Sequence, residues 1–485
     1  MPVALDFDLN SIQEARDLVR KAKKAQEAFC EYSEQAIEKI VAAMAAKAAA
    51  NAEMLAKAAV EETNYGVVEH KVIKNLFAAR DVYDYIKTVK TSGIIGEKEN
   101  GKVVEVAVPM GVIMALTPTT NPTSTVIHNA LIAVKAGNAI IFSPHPNAAK
   151  CSGMAARLLQ EAASEAGAPD GLIGCLSQMT MKATEELMHN EDVAVIIATG
   201  GSAMVRAAYS AGKPAFGVGP GNVPAFIERS ADVAQAVRDI VTSKTFDNGM
   251  ICASEQAIIA DKPVEAAVIA ELKRQHCYFL NEDETRKVSG VVMTPRGGMN
   301  AAMVGKTAKE IADKAGISVP AGTKLLVAPL QGYGQAYPLS HEKLTSVLGF
   351  YTVNDWREAC LLSIELLKLG GIGHSFSIHS TDERVIREFI HKPVFRILVN
   401  TPSALGGIGY STGLTPSLTL GCGTWGGSSI SENLGPQHLI NVKRLAYGTR
   451  KVELGQTRDE PAVVAAITPD DIAGVVRQVL RQMQL

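Results

Sequence analysis

Between Val112 and Ser202, short apolar runs alternate with longer segments of helical periodicity, and this alternation limits the possible folds more than any other feature. VIMALTP reads as a buried strand, and TTNPTSTVIHNALIAVKAG as a loop, a helix over about Thr123 to Lys135 and a glycine turn. The strand Ala139 to Phe142 follows, then a helix from near Asn147, a strand in GLIGCLSQ and a helix over Ala183 to His189. Val193 to Thr199 is again a strand, and a helix opens at Gly200-Gly201-Ser202. Strands alternating with helices build a parallel sheet covered on both faces, an α/β architecture. Ligands of such sheets lie beyond the carboxyl ends of the strands, here the turns Ser143 to Pro146 and Thr199 to Ser202. Neither turn carries GxGxxG. A helix opening on Gly-Gly-Ser can hold a phosphate with its free N–H groups, but a glycine turn kept only for packing looks the same in sequence.

At 485 residues the chain has room for about three domains. From Asn10, read as an N-cap, to about Gly66 it is rich in Ala, Glu, Lys and Leu, which predicts two or more long helices. GIIGEKENGKVVEVAVP predicts a hairpin around Glu99-Asn100-Gly101 whose exposed half can pair with another subunit. After FGVGPGNVPAFIE, a helix over about Asp232 to Thr245 leads to Cys252. A second α/β unit follows: a strand at Gln256 to Ala260, helices near 264–276 and 308–315, and strands near 324–328 and 346–353. His374 then stands on a glycine-rich turn entering a strand. Residues 401–431, rich in Gly, Ser and Thr but interrupted by Leu and Trp, read as an ordered loop wrapping a site.

Gly455 to Glu460 is polar and reads as a linker. Beyond it Thr468 caps a helix with Pro469 at its first position and Asp470 and Asp471 in its first turn. Ile472, Val475, Val476, Val479, Leu480 and Met483 share one face of it. Such a face packs back on the chain or docks into a partner's groove.

Basic and acidic residues nearly balance, 48 against 50, with no run of like charge, so neither nucleic acid nor an anionic membrane is an implied partner. A small molecule is. Seven cysteines are scattered without a CxxC pair, which argues against a zinc site and a disulfide framework and for a reducing compartment. The acidic start MPVALDFDLNS lacks the pattern of a signal peptide, and no segment approaches the roughly 18 apolar residues of a membrane span. The expectation is a soluble, cytoplasmic protein with no metal.

Within NGMICASEQ (Asn248 to Gln256), Cys252 is flanked by small residues and preceded by Gly249, a setting in which a sulfur can stand exposed on a tight turn. That is what a nucleophile requires. A buried structural thiol is the competing reading, since free cysteines are commonly buried.

Six pieces in order carry a family resemblance over about residues 10–453: PTTNPTS (Pro118 to Ser124), GPGNVP (Gly219 to Pro224), NGMICASEQ, HEKLTSVL (His341 to Leu348), GGIGHS (Gly370 to Ser375) and NVKRLAYG (Asn441 to Gly448). Together they resemble the CoA-acylating branch of the aldehyde dehydrogenase superfamily, and within it the propionaldehyde and acetaldehyde dehydrogenases of bacterial microcompartments. The resemblance implies a Rossmann-type cofactor domain (1–92 and 109–227), an α/β catalytic domain (228–435), and a small β oligomerisation element (93–108 and 436–453) of a homodimer or homotetramer. Residues 454–485 would be a linker and a targeting helix for a microcompartment shell or core.

By the same resemblance Cys252 is the nucleophile that forms a thiohemiacetal, and Asn121 with the Cys252 N–H holds the oxyanion. Thr199, Gly200, Gly201 and Ser202 would hold the pyrophosphate of NAD, and Glu342 its nicotinamide ribose; Ser143, Pro144, Pro220 and Gly221 complete the implied cofactor site, which CoA would share. His374 would either assist deprotonation of CoA or Cys252, or only position its loop. His128, His145 and His341 read as structural or rim residues. Hydrolytic members carry a glutamate in ELGGK to activate water; alignment on GVGPGN puts Val218 there, 34 residues before Cys252. A valine cannot deprotonate water, so the thioester would wait for a thiol, and coenzyme A would carry the acyl group away. The strand Ala139 to Phe142 is followed by Ser143-Pro144-His145-Pro146 without a lysine to meet a 2′-phosphate, which favours NAD over NADP. The rival readings are a hydrolytic aldehyde dehydrogenase and a non-catalytic interaction protein.

Overall fold

The computed structural model describes residues 6–295, 297–452 and 468–482. They form two compact units, a large one (1–95 with 106–443) and a small one (96–105 with 444–485).

The large unit begins with the helices Phe7–Phe29, Glu34–Ala50, Ala52–Thr63 and Val68–Leu76. The first is capped by Asp6, whose carboxylate accepts the Asp8 N–H, so Asn10 lies inside the helix rather than at its start as expected. Either side chain can cap, and the earlier one does. Ser33 caps the second helix on the Ala36 N–H.

Two strands, β1 (Gly93–Lys98) and β2 (Val103–Pro109), then lead into the first parallel sheet. That sheet comprises β3 (Val112–Thr117), β4 (Ala139–Pro144), β5 (Ile173–Cys175), β6 (Val193–Thr199) and β7 (Ala215–Val218), in the order β5-β4-β3-β6-β7. Every residue of β3, the middle strand, is buried, which is why it reads as an unbroken apolar run. The register places Thr117 beside Pro144 and Thr199 beside Val218 at the carboxyl edge.

The second sheet holds β8 (Val223–Ile227), β9 (Glu255–Asp261), β10 (Cys277–Phe279), β11 (Leu325–Pro329), β12 (Val347–Val353), β13 (Gly373–His379) and β14 (Val394–Val399), in the order β10-β11-β12-β9-β8-β13-β14. Because β8 pairs with β9 and β13, the chain changes sheets at 219–222, ahead of the boundary expected after 227. The helices Glu282–Val292 and Trp356–Lys368 and the strand β14 were not foreseen from sequence. The segment 401–431 is ordered and contains the short helix Ser403–Gly407.

In the three-stranded sheet, β15 (Ile440–Ala446) completes the order β1-β2-β15. The turn between β1 and β2 puts Glu99, Asn100 and Gly101 in the left-handed region, where the hairpin was expected. The small unit also contains the helix Pro469–Gln482, with Thr468 and Asp471 bonded reciprocally across its first turn. Its Ile472, Val475, Val476 and Val479 are exposed. The linker at 455–460, Met483 and the Leu480 side chain lie outside the described residues. No described helix is long and apolar enough to cross a membrane.

Gly66 shows how tightly the helical layer meets the segment before Cys252. Its φ is +77°, and a Cβ there would come within 2.1 Å of Asp247 Oδ1. Left-handed strain and overpacking against a locked carboxylate add, so Gly66→Ala is expected to lower stability by about 2–4 kcal/mol. Guanidinium unfolding checks this; an unchanged midpoint would contradict it.

Candidate active site

A cavity of about 250 Å³ lies at the carboxyl edge of the first sheet, lined by residues of that sheet and by segments that connect or follow the strands of the second. The loop after β3 contributes Pro118, Thr120 and Asn121, β6 ends at Thr199 with Gly200 and Gly201 following, and β7 contributes Val218 with Gly219 and Pro220 behind it. Cys252 stands just before β9 and Glu342 in the segment before β12. Ile251, Leu344, Ile408, Leu418 and Leu420 supply apolar wall. Residues 401–431 therefore do reach the site.

Cys252 is half-buried in the turn Ile251 to Ser254, closed by a bond from the Ser254 N–H to the Ile251 carbonyl at 2.9 Å. Its thiol is pushed up to about 12, by burial first and then by the carboxylate of Glu342 and by Cys422, with Arg396 acting the other way. Glu342 is itself raised to about 7 by burial, against the Gly221 N–H that it accepts at 2.9 Å and the nearby Lys244 and Lys343. Gly221 passes so close that a Cβ would stand 2.0 Å from the Cys252 carbonyl oxygen and 3.1 Å from His374 Nδ1.

Asn121 is the N-cap of the helix Pro122–Lys135, but its side chain makes no cap bond. Its Nδ2 donates to the Met250 carbonyl at 3.2 Å, and its Oδ1 accepts from Lys74 Nζ at 2.6 Å. Behind it Lys71 and Lys74, one turn apart on the helix Val68–Leu76, both donate to Asp247 Oδ2, at 3.0 and 2.6 Å. Burial works against a charged Asp247, but Lys74 and Lys71 outweigh it and hold the carboxyl below its usual range. Burial lowers Lys74 to about 8, opposed first by Asp247. Sequence reading missed this cluster. Its signal was the KxxK spacing of Lys71 and Lys74, in a stretch past Gly66 for which no element was predicted.

His374 is fully buried at the start of β13 and does not line the cavity. Its Nδ1 meets Ser375 Oγ at 3.0 Å, and Nε2 has no hydrogen-bond partner among the described residues. Burial, then Arg396, lowers its pKa well below the ordinary value, so it is neutral. Of the other expected residues, Ser143 is buried and bonded to Thr184 Oγ1 at 3.0 Å, and Pro144 is buried; neither reaches the cavity. His145 is an exposed residue on the cavity lining, His128 is buried against Asn129 and Ser417, and His341 is half-buried.

The turn from Thr199 to Ser202 is open. The helix Ser202–Ser210 begins without a side-chain cap, a Cβ on Gly200 or Gly201 would meet nothing within 4 Å, and the buried Thr199 Oγ1 has no partner among the described residues. Open space before uncapped helix amides suits an anion. Among the described residues no group of His, Cys, Asp and Glu is placed to hold a metal.

The chain matches the aldehyde dehydrogenase family over residues 3–323, and it belongs to that family. It is 44% identical over 445 residues to the bifunctional aldehyde-alcohol dehydrogenase of Escherichia coli K12, covering 90% of this chain and 50% of that protein. The chain thus spans about half the length of that relative. With the acetylating succinate-semialdehyde dehydrogenase of Clostridium kluyveri it shares 39% identity over 440 residues, 90% of this chain and 97% of the other.

Among solved structures, an acetylating aldehyde dehydrogenase from Geobacillus thermoglucosidasius matches with a TM-score of 0.91 and 53% identity, over 93% of this chain and 99% of that one. A propionaldehyde dehydrogenase from the fucose-utilisation microcompartment of Clostridium phytofermentans matches at TM-score 0.82 and 29% identity, over 89% and 97%. A Rhodopseudomonas palustris propionaldehyde dehydrogenase with bound CoA and an acylated cysteine matches at 0.79 and 28%, over 89% and 97%.

If the Glu342 carboxylate holds the Cys252 proton in place, Glu342→Gln is expected to speed alkylation of Cys252 by iodoacetamide at pH 8, by about tenfold for each unit by which the thiol pKa falls. Peptide mass spectrometry against time reads this, and an unchanged or slower rate would contradict it.

Proposed function

We propose that this chain is a CoA-acylating aldehyde dehydrogenase that oxidises a short, uncharged aliphatic aldehyde with NAD and CoA, reversibly. The observation that carries the reading is the pairing of Cys252 and Asn121 in one cavity with Val218 beside Thr199, where hydrolytic relatives place a water-activating glutamate. Cys252, as thiolate, adds to the aldehyde carbon, and the negative charge on oxygen falls to Asn121 Nδ2 and the Cys252 N–H. When bound, NAD takes the hydride and CoA the acyl group. Thr199 to Ser202 and Glu342 are the residues that would hold the dinucleotide, and Pro220 and Gly221 border it. A neutral His374 bonded to Ser375 fits loop positioning better than proton transfer at the sulfur.

The apolar wall of Ile408, Leu418 and Leu420 carries the preference for a short aliphatic chain. Among the described residues no lysine or arginine lines the cavity, so a sulfonate or second carboxylate would lack a counter-ion. The absence of a lysine between Ser143 and Ala149 supports NAD over NADP.

The test is product analysis by mass with C2 to C4 aldehydes, NAD and either CoA or none. Acyl-CoA with CoA, and no sustained turnover without it, is expected; steady free-acid production without CoA would favour the hydrolytic rival. Val218→Glu is expected to introduce CoA-independent acid formation, and its failure to produce any acid would weaken the role given to Val218.

The three-stranded sheet is proposed as the subunit contact of a homodimer or homotetramer. The terminal helix is proposed as a docking segment for a microcompartment shell or core, supported by its exposed Ile472, Val475, Val476 and Val479. Deleting residues 461–485 is expected to leave activity intact and abolish co-sedimentation with shells. Loss of folding would show instead that the helix is structural.

A further inference from the structure

An asparagine at a helix N-cap ordinarily accepts an N–H of the first turn through its side-chain oxygen. Asn121 occupies that place before Pro122–Lys135 and caps nothing. Its oxygen is taken by the Lys74 ammonium at 2.6 Å, while Nδ2 faces the Met250 carbonyl at 3.2 Å and Thr120 Oγ1 at 3.3 Å. An ammonium has three donors and no acceptor, so Lys74 can hold only the carbonyl end of that amide. Its other N–H groups are spent on Asp247 Oδ2 at 2.6 Å and the Met250 carbonyl at 3.1 Å. Turning the amide over would set its N–H groups against those of the buried Lys74 ammonium. Asp247 in turn is fixed by Lys71 and by the Val67 N–H at 2.8 Å.

We propose that Lys74, anchored by Asp247, is a positioning residue that fixes which way the Asn121 amide faces, so that the N–H now resting on Thr120 Oγ1 at 3.3 Å can turn to the reacting oxygen. The proposal rests on the reading of Asn121 as the oxyanion donor. Two lysines against one carboxylate also leave the cluster with one positive charge beside the place where negative charge develops.

A double-mutant cycle on the full chain tests it, reading the pre-steady-state rate of thioacyl-enzyme formation and the KM for the dinucleotide. Asn121→Ala alone is expected to slow that step about 100- to 1000-fold. Lys74→Met alone is expected to slow it about 10- to 100-fold, through misplacement of the amide, with the dinucleotide KM unchanged. Added to Asn121→Ala, it is expected to cost less than about threefold more, because the residue acts through Asn121.

Multiplicative losses, or no loss from Lys74→Met, would overturn the positioning role while Asn121 keeps its own. An Asn121→Ala variant at full rate would overturn the underlying reading of Asn121 instead. If Lys74→Met does not fold, Asp247→Asn, which frees the anchor without removing the lysine, enters the same cycle. It is expected to cost about tenfold with Asn121 present and little without it; equal losses in both backgrounds would overturn the proposal.

Discussion

One buried carboxylate joins the helical layer to the loop that carries Cys252. Asp247 takes up a left-handed conformation, at φ 51° and ψ 37°, and accepts from the Val67 N–H, Lys71 and Lys74 while its own N–H donates to His70 Nδ1 at 2.9 Å. A buried charge is tolerated only when it is paired and hydrogen-bonded, and both lysines are needed to satisfy this one. The arrangement runs onward through Lys74 to the Met250 carbonyl and the Asn121 amide. The segment before Cys252 therefore takes its shape from residues some 180 positions earlier in the chain.

The chemistry follows from what the cavity contains and what it omits. A half-buried sulfur, an amide aimed by its neighbours and an apolar wall suit carbonyl addition. Val218, which has no group to take up a proton, stands beside Thr199 on the same lining. Glu342 is the one carboxylate on the described lining, and the Gly221 N–H ties it down. Burial of Cys252 first, and the Glu342 carboxylate after it, push the thiol up to about 12.

Much of the fold was legible because parallel strands buried on both faces are written as apolar runs: Val193–Thr199 falls where the sequence placed it, and β3 lies within the expected run. The same apolar language hid the change of sheets, since β7 and β8 read alike and only pairing shows that they part at 219–222. Cys252, Asn121, Thr199 and Glu342 were legible from motifs, and one cavity gathers them. Ser143 and Pro144 were expected there because they follow a strand, yet Ser143 turns inward to Thr184. Lys71 and Lys74 could not be told from surface lysines in VEHKVIKNL, because their burial depends on an aspartate far along the chain.

The central claim is that an acyl group on Cys252 is protected from water until a thiol arrives. Intact-protein mass spectrometry after mixing enzyme with propionaldehyde and NAD, without CoA, measures this directly. The account requires about one acyl adduct per chain on Cys252, persisting after a single equivalent of NADH and released on addition of CoA. Continued NADH formation with no adduct would contradict it.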